Sequence, residues 1–356
     1  MSIRKLIRSV PLFRKPRANM SGTAGSADRL RHSAYHRGWR PGQSEKMNLT
    51  LNLLWRSRPQ QQNDLVAERL LQTATTEAVR DHYDSMVRVY RLFWGEHLHH
   101  GLFVNGDERP RRAQEQMLQF CVGKLTLAPG PAVLDVGCGY GGTSIYLARN
   151  YGARVTGITL SPKQADFASM SARRDGVQDR VEFIVANAEH YAFQESHYDV
   201  IWTMESSEHF LNRRGYFRKA ANALRPEGKL PVAAWTSARP DSKLALLAEA
   251  ANCQPFATPT EYAQEIEAAG LQMMAVEDLT HNVTPTWEIC RRRARLAWLF
   301  KLLFPPATRD FARVIDLMLW AFRVGALGYT VMVAQKLRRP SVAGTPRITR
   351  SCWCGS

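Results

Sequence analysis

Through the middle of the chain, short apolar runs alternate with stretches of helical periodicity. Ala132–Val136, Arg154–Ile158, Val181–Val185, Tyr198–Thr203 and Lys229–Trp235 read as strands. Between them Gly142–Tyr151, Ser161–Asp175 and Arg213–Leu224 carry apolar residues at helical spacing. Strands alternating with helices predict a parallel sheet with crossovers. Ser161 before Pro162 is a helix start, the serine as N-cap and the proline at the first helical position. Upstream, Leu65, Leu70, Val79, Met86, Val89 and Leu92 recur at helical spacing, interrupted at Thr73 to Thr76, and predict two helices on one side of the sheet. A further helix, Ala113–Leu125, stops at Pro129-Gly130-Pro131. After Pro240 the rhythm breaks into helical pieces (Leu244–Ala251, Thr260–Ala269), a strand (Leu271–Leu279), a basic helix (Trp287–Phe304) and a closing strand, Tyr329–Ala334. This insertion, about 240–325, follows the fifth strand at the sheet's carboxyl end, where ligands bind, and predicts a lid. Pro231 would remove a ladder donor, so the fifth strand is expected to begin after it or to bulge there.

Charge changes this picture only at the ends. The 356 residues carry a formal charge of +16, which invites a nucleic-acid partner. Residues 1–60 hold 13 Lys/Arg against 2 Asp/Glu, residues 336–356 hold 5 against none, and the remainder is neutral. The expected organisation is a basic, disordered extension over 1–60, a domain over 61–337 and a basic tail over 338–356. The Arg-rich start, with Ile3, Leu6, Ile7 and Val10, suits either an unstructured extension of a cytoplasmic protein or an organelle transit segment. Six scattered cysteines with no Cys-x-x-Cys pair argue against a disulfide framework or a zinc site. No apolar run reaches membrane-spanning length. Leu296–Phe304 and Val314–Val333 read as core and lid helix, and an interfacial, membrane-touching helix stays open.

The chemistry concentrates in Leu134-Asp135-Val136-Gly137-Cys138-Gly139-Tyr140-Gly141-Gly142. A strand runs into a carboxylate, a glycine-rich turn and a helix. The spacing satisfies a dinucleotide fingerprint, but a carboxylate ahead of the turn repels a pyrophosphate. It suits a cationic ligand such as the ammonium of S-adenosylmethionine. The second strand ends in Thr159-Leu160-Ser161-Pro162 without the acid a dinucleotide ribose would want. The cofactor pocket is then expected to use Asp135, Gly137 and Gly139 on the methionine part, Thr159, Leu160 and Gln164 by the ribose, Asn187 and Ala188 by the adenine, and Met204 with Glu205 under the sulfonium.

Two more clusters stand out. In Trp94-Gly95-Glu96-His97-Leu98-His99-His100-Gly101 the flanking glycines predict a loop rather than a two-histidine helical face, so no metal is expected. The histidines pack against cofactor or substrate, or lie on the surface. In Glu205-Ser206-Ser207-Glu208-His209-Phe210, at the end of the fourth strand, a carboxylate and an imidazole are candidates for a general base. The alternative is that Glu208 and His209 only hold the loop. Tyr83 and Asp84 either close over the cofactor or pack as ordinary helix residues. Arg291-Arg292-Arg293 reads as a solvated helix face.

The glycine turn together with Gly157-Ile158-Thr159-Leu160-Ser161-Pro162-Lys163-Gln164 resembles class I methyltransferases of the gamma-tocopherol methyltransferase branch, whose relatives include mycolic acid cyclopropane synthases and sterol C-methyltransferases. Phe93 to Gly101, Met204 to His209, Asn282 to Trp287 and Ala321 to Ala326 are similar to that branch as well. The resemblance spans roughly residues 77–337. It implies a Rossmann-like α/β fold with a seven-stranded sheet, N-terminal helices and the lid. It implies Thr159, Leu160 and Gln164 at the ribose, His99 and His100 closing on the methionine part, and Glu208 near the reacting centre. Asn187 stands in place of the usual Asp, and Ser207 in place of a common Gly.

These readings predict an S-adenosylmethionine-dependent methyltransferase with catalytic candidates Glu208, His209 and Glu205. Its expected acceptor is small and apolar, a prenylated phenol or other isoprenoid methylated at carbon, in keeping with an aromatic lid (Trp287, Trp298, Phe300, Phe304, Phe311, Trp320, Phe322). N- or O-methylation of an alkaloid-type metabolite is the alternative within the class. A nucleic-acid methyltransferase anchored by its basic tails, or a non-catalytic cofactor-binding subunit, are the alternatives outside it. The loop Met204 to Ser207 lacks the Asn/Asp-Pro-Pro-Tyr pattern suited to base amines.

Overall fold

A computed structural model describes residues 75–238, 244–298 and 307–338. The expectations for 1–60, for the tail beyond residue 338 and for a helix before Thr73 lie outside the described residues. Seven strands form one sheet in the order β3-β2-β1-β4-β5-β7-β6. They are β1 (Ala132–Val136), β2 (Arg154–Thr159), β3 (Val181–Val185), β4 (Tyr198–Met204), β5 (Leu224–Ser237), β6 (Leu271–Asp278) and β7 (Leu327–Lys336). The first five pair in parallel, and β7 runs antiparallel between β5 and β6. This is the Rossmann-like sheet of class I methyltransferases.

The central strands β1 and β4 are mainly apolar because both their faces are covered, as a parallel sheet requires, whereas β6 at the edge alternates buried and exposed residues. Val133, Val200, Trp202 and Val331 face one core, shared with α2 (Pro110–Gly123), α8 (Thr280–Trp298) and α9 (Ala307–Arg323). Leu134, Val136, Ile201 and Val232 face the other, against α5 (Arg213–Ala223) and α7 (Pro259–Ala268). The remaining helices are α1 (Thr76–Trp94), α3 (Gly142–Tyr151), α4 (Pro162–Arg174) and α6 (Ala245–Ala250).

Ser161 caps α4 as its sequence foretold: its hydroxyl accepts from Gln164 N at 3.1 Å. The same hydroxyl donates to Asp84 on α1, tying that helix to the sheet edge. Ser161→Ala removes both bonds and is expected to lower unfolding stability by about 1–2 kcal/mol, read from denaturant titration.

Four expectations need correction. The fifth strand begins at Leu224, not beyond Pro231, and runs through the proline, which pairs with Val333. Successive residues of a strand point their N–H groups to opposite neighbours, so one proline removes only one ladder bond. The register shift lies upstream, between the Tyr198–Leu224 and Val200–Lys229 pairs, where Glu227 adopts φ 68°. The basic helix starts at Thr280 and contains Pro285, and residues 299–306 lie outside the described set. The closing strand is longer, Leu327–Lys336. The span 240–325 is also not one lid. Tyr262, Ile266 and Leu271 bury α7 and β6 against the far side of the sheet, leaving α6, α8 and α9 as the cover. No helix among the described residues is long and apolar enough to cross a membrane.

Candidate active site

A cleft opens at the carboxyl ends of β1, β2 and β4. Its floor is the turn after β1. The amides of Gly137 and Cys138 both donate to Ile158 O at 2.9 Å, clamping the turn to β2. Gly137 sits at φ 76°, and a Cβ there would lie 2.3 Å from Ser206 Cβ. Only glycine lets the β4 loop approach this closely. Asp135, 3% exposed, accepts from Ser144 Oγ at 2.6 Å. Burial pushes its carboxyl up to about 6 against the opposing pull of the Ser144 bonds. A cation reaching the cleft would restore its charge.

The ribose-side candidates meet as expected from their order in the chain. Thr159 Oγ1 donates to Gln164 Oε1 at 2.7 Å, and Leu160 borders the cleft beside them. Asn187 Oδ1 accepts from Glu189 N at 2.8 Å and its amide donates to Thr76 Oγ1 at 3.2 Å, so the residue orders its own loop and touches α1. Ala188 and Met204 are buried at the cleft.

The histidine loop is held from several sides. Gln114, buried on α2, donates to the carbonyls of Trp94, His97 and His99. Glu205 stands at φ 49°, a left-handed conformation that costs a β-carbon residue about 1–2 kcal/mol. Its carboxylate accepts from His100 N at 2.7 Å, His100 Nδ1 at 2.8 Å and the Tyr329 hydroxyl at 2.8 Å. Burial opposes its charge, but the His100 ring and its hydrogen bonds outweigh that and hold Glu205 below the usual carboxylate value. Glu205 is thus committed to positioning the loop. His99 donates through Nδ1 to His100 O at 2.9 Å, which leaves Nε2 a buried, unpartnered acceptor on a residue that borders the cleft.

The short helical turn Ser207–His209 carries the remaining candidates. Glu208 Oε1 accepts the Trp235 amide at 2.7 Å, while Oε2 accepts a long 3.4 Å bond from Ser207 Oγ. Burial pushes this carboxyl up to about 8. His209 donates through Nδ1 to Asn252 O at 2.7 Å, which fixes Nε2 as the acceptor of the Tyr83 hydroxyl at 3.1 Å. Burial also lowers the proton affinity of His209. Its lone pair is therefore already engaged. Asp84, the neighbour of Tyr83, is spent on the α4 cap.

An aromatic wall completes the cleft. Tyr90 meets Trp94 edge-on at 5.5 Å, Trp94 meets Trp287 at 5.9 Å, and Trp287 lies 5.9 Å from Trp235. Of the expected lid aromatics, Trp287 lines the cleft and Phe322 stacks on His100, whereas Trp320 packs in the core. Phe300 and Phe304, with the side chains of Trp298 and Phe311, lie outside the described residues. Sequence reasoning did not single out Tyr329, Gln114 or Trp235 for the site. A glutamine on the apolar face of α2 was the one available signal.

The expected cofactor-binding and catalytic residues border a single cleft. A glycine cradle, the buried carboxyl of Asp135 and an unpaired imidazole acceptor fit a positively charged methyl donor with an α-amino group. Fold and site together define a class I S-adenosylmethionine-dependent methyltransferase. Residues 71–294 match the model of the mycolic acid cyclopropane synthetase family, and the chain belongs to that family. It is 32% identical over 286 residues to the "Probable tocopherol O-methyltransferase, chloroplastic" of Oryza sativa subsp. japonica, covering 73% of this chain and 78% of that protein. It is 30% identical over 233 residues to the 2-methyl-6-phytyl-1,4-hydroquinone methyltransferase of Synechocystis, covering 60% of this chain and 72% of that protein. The solved cyclopropane synthase MmaA2 from Mycobacterium tuberculosis shares the fold, with a TM-score of 0.67 at 22% identity over 74% of this chain and 99% of that one.

Proposed function

We propose that the acceptor is a small phenol bearing an isoprenoid chain, methylated at a ring carbon. The observation that carries this is the Tyr90–Trp94–Trp287–Trp235 wall standing beside one carboxyl, Glu208, whose Oε2 is held by no more than a long 3.4 Å bond from a neighbouring side chain. The hydroquinone named in the Synechocystis relative supports it. When bound, S-adenosylmethionine supplies an electrophilic methyl group. Asp135 and His99 Nε2 would hold its ammonium, Gly137 and Gly139 its methionine part. Thr159, Leu160 and Gln164 would hold the ribose side, and Asn187 and Ala188 the adenine side, with Met204 beneath.

Glu208 Oε2 takes the phenol proton and so raises electron density on the ring; once the ring carbon has taken the methyl group from sulfur, its own hydrogen leaves as a proton to solvent and Glu208 returns its proton to the ring oxygen. A carboxyl pushed up to about 8 is a better match to a phenol near 10 than an ordinary carboxylate is. His209 orients the Tyr83 hydroxyl over the cleft, and Glu205 fixes the loop through His100. The aromatic wall excludes water and seats the ring. Organelle targeting of the Arg-rich start gains support from the rice relative, whose name marks it chloroplastic.

The test is transfer of a labelled methyl group into short-chain prenylated hydroquinones, followed by mass spectrometry of the product. Label on a ring carbon supports the reading. Label only on oxygen or nitrogen, or none across a lipid, quinone and phenol panel, rejects it.

A further inference from the structure

Behind the cleft, a line of polar side chains runs from a buried ion pair to Glu208. Arg213, at the start of α5, pairs through two nitrogens with Glu265 on α7, at 2.6 and 3.0 Å. Its guanidinium lies 4.3 Å from the centre of the Tyr262 ring, also on α7. The Tyr262 hydroxyl is 3.0 Å from Ser207 Oγ, and Ser207 Oγ donates to Glu208 Oε2 at 3.4 Å. Ser207 is 0% exposed and Tyr262 1%. Neither borders the cleft, so whatever they do for the chemistry they do through Glu208.

Counting hydrogens gives this line a direction. A serine hydroxyl has one hydrogen, and Ser207 gives it to Glu208, so the 3.0 Å bond must run from Tyr262 to Ser207. Among the described residues, Ser207 is the only hydrogen-bond partner of the Tyr262 hydroxyl. Reversing the line would bury the Tyr262 hydrogen without an acceptor, which disfavours that arrangement by about tenfold or more. The guanidinium over the ring draws on its electron density and makes the hydroxyl a better donor. Both hydrogens therefore point toward Oε2, while Oε1 is fixed by the Trp235 amide. A line of donors favours a carboxylate over the acid, which is the weaker acceptor.

We propose that Tyr262 and Ser207 are positioning residues for the reaction, their hydroxyls forming a one-way donor chain that holds Glu208 Oε2 as an aimed carboxylate able to take the acceptor's proton. This rests on the reading of Glu208 as the base. Burial and the Glu205 carboxylate push Glu208 toward the acid, and the Ser207 bond opposes them. The other titratable groups around Glu208 are Arg213 on α5, Cys253 after α6, Tyr83 on α1, Tyr329 on β7 and the adjacent His209. Burial keeps the thiol, both phenols and the imidazole neutral. Against burial, the Tyr262 ring and the Glu265 bonds hold the charge of Arg213. Tyr262→Phe removes one oxygen and leaves each of these groups in place.

The experiment follows methyl transfer to a short-chain prenylated phenol between pH 6 and 9.5 in the wild type, Tyr262→Phe and Ser207→Ala. The wild-type rate should rise with pH as Glu208 loses its proton. In each variant that limb is expected to move up by about one pH unit. At pH 7 kcat then falls about tenfold, while by pH 9.5 it returns to within about twofold of wild type and KM stays within about twofold. The double variant should move the limb no further than either single one, because the hydroxyls act in series. A rate lowered by the same factor at every pH, with the limb unmoved, means packing alone and overturns the proposal. The carboxyl band of Glu208 in infrared difference spectra reports the same titration without turnover. It is assigned with Glu208→Gln in protein saturated with S-adenosylhomocysteine, and should move by the same unit in both variants. An unmoved band overturns the proposal whatever the rates do. A band that moves in a protein that methylates no phenol supports the chain's hold on Glu208 and rejects the phenol reading.

Discussion

Glu208→Gln is expected to slow methyl transfer by about 10²–10³-fold while leaving cofactor affinity within about threefold. Glutamine keeps the shape and the acceptor for the Trp235 amide but cannot take a proton at the Oε2 position. The same change should make the protein more stable in alkali. The fold raises the Glu208 carboxyl from 4.5 to about 8, chiefly by burial. A raised carboxyl favours the native state fully below about pH 4.5, and that contribution fades as pH climbs through 8. Above that value the native protein carries a buried charge that glutamine does not. The variant should therefore unfold at higher temperature than the wild type at pH 8.5, by about 1–3 kcal/mol of stability. Single-turnover rates and thermal unfolding across pH measure both effects. Unchanged turnover with intact cofactor binding would remove Glu208 from the chemistry.

Gly137→Ala is the second large effect, and it acts through geometry. The new Cβ would stand 2.3 Å from Ser206 Cβ in a backbone conformation, φ 76°, that disfavours side chains. Ser206 cannot yield easily, because its hydroxyl donates to Val136 O at 2.8 Å. Its loop carries Glu205 and Glu208, so displacement reaches both the His100 contact and the proton acceptor. The expected loss is about 3 kcal/mol of stability and about 100-fold or more in cofactor affinity. Adding Ser206→Gly removes the opposing carbon and should restore part of both losses, a coupling that unrelated sites would not show. Wild-type affinity in the single variant would mean that the turn does not cradle a ligand.

The parallel half of the sheet was legible because its physics is local. Buried strands read as apolar runs, and the turn after β1 needs glycine where the β4 loop comes close. The Ser161 cap, too, follows from neighbouring residues alone. What was not legible depends on long-range pairing. Tyr329 reaches Glu205 only because β7 inserts antiparallel between β5 and β6, and nothing near either residue announces that. The start of β5 runs through Arg225, Pro226, Glu227 and Gly228, a polar stretch with the look of a turn, yet it is held in the sheet across a register shift. The catalytic candidates were found as residue types at a strand end. Their division of labour was not, since only the hydrogen bonds separate Glu205, which holds His100, from Glu208, whose Oε2 is weakly engaged.

The central claim is that Asp135, buried ahead of a glycine bend and raised to about 6, receives the cationic end of the methyl donor. Calorimetric titration of S-adenosylmethionine at pH 6, in buffers of different ionisation heat, tests it most directly. The wild-type protein should release on the order of half a proton from this group on binding. Asp135→Asn should abolish that share and weaken binding by about 30-fold or more. Equal affinity and equal proton release in the two proteins would contradict the account.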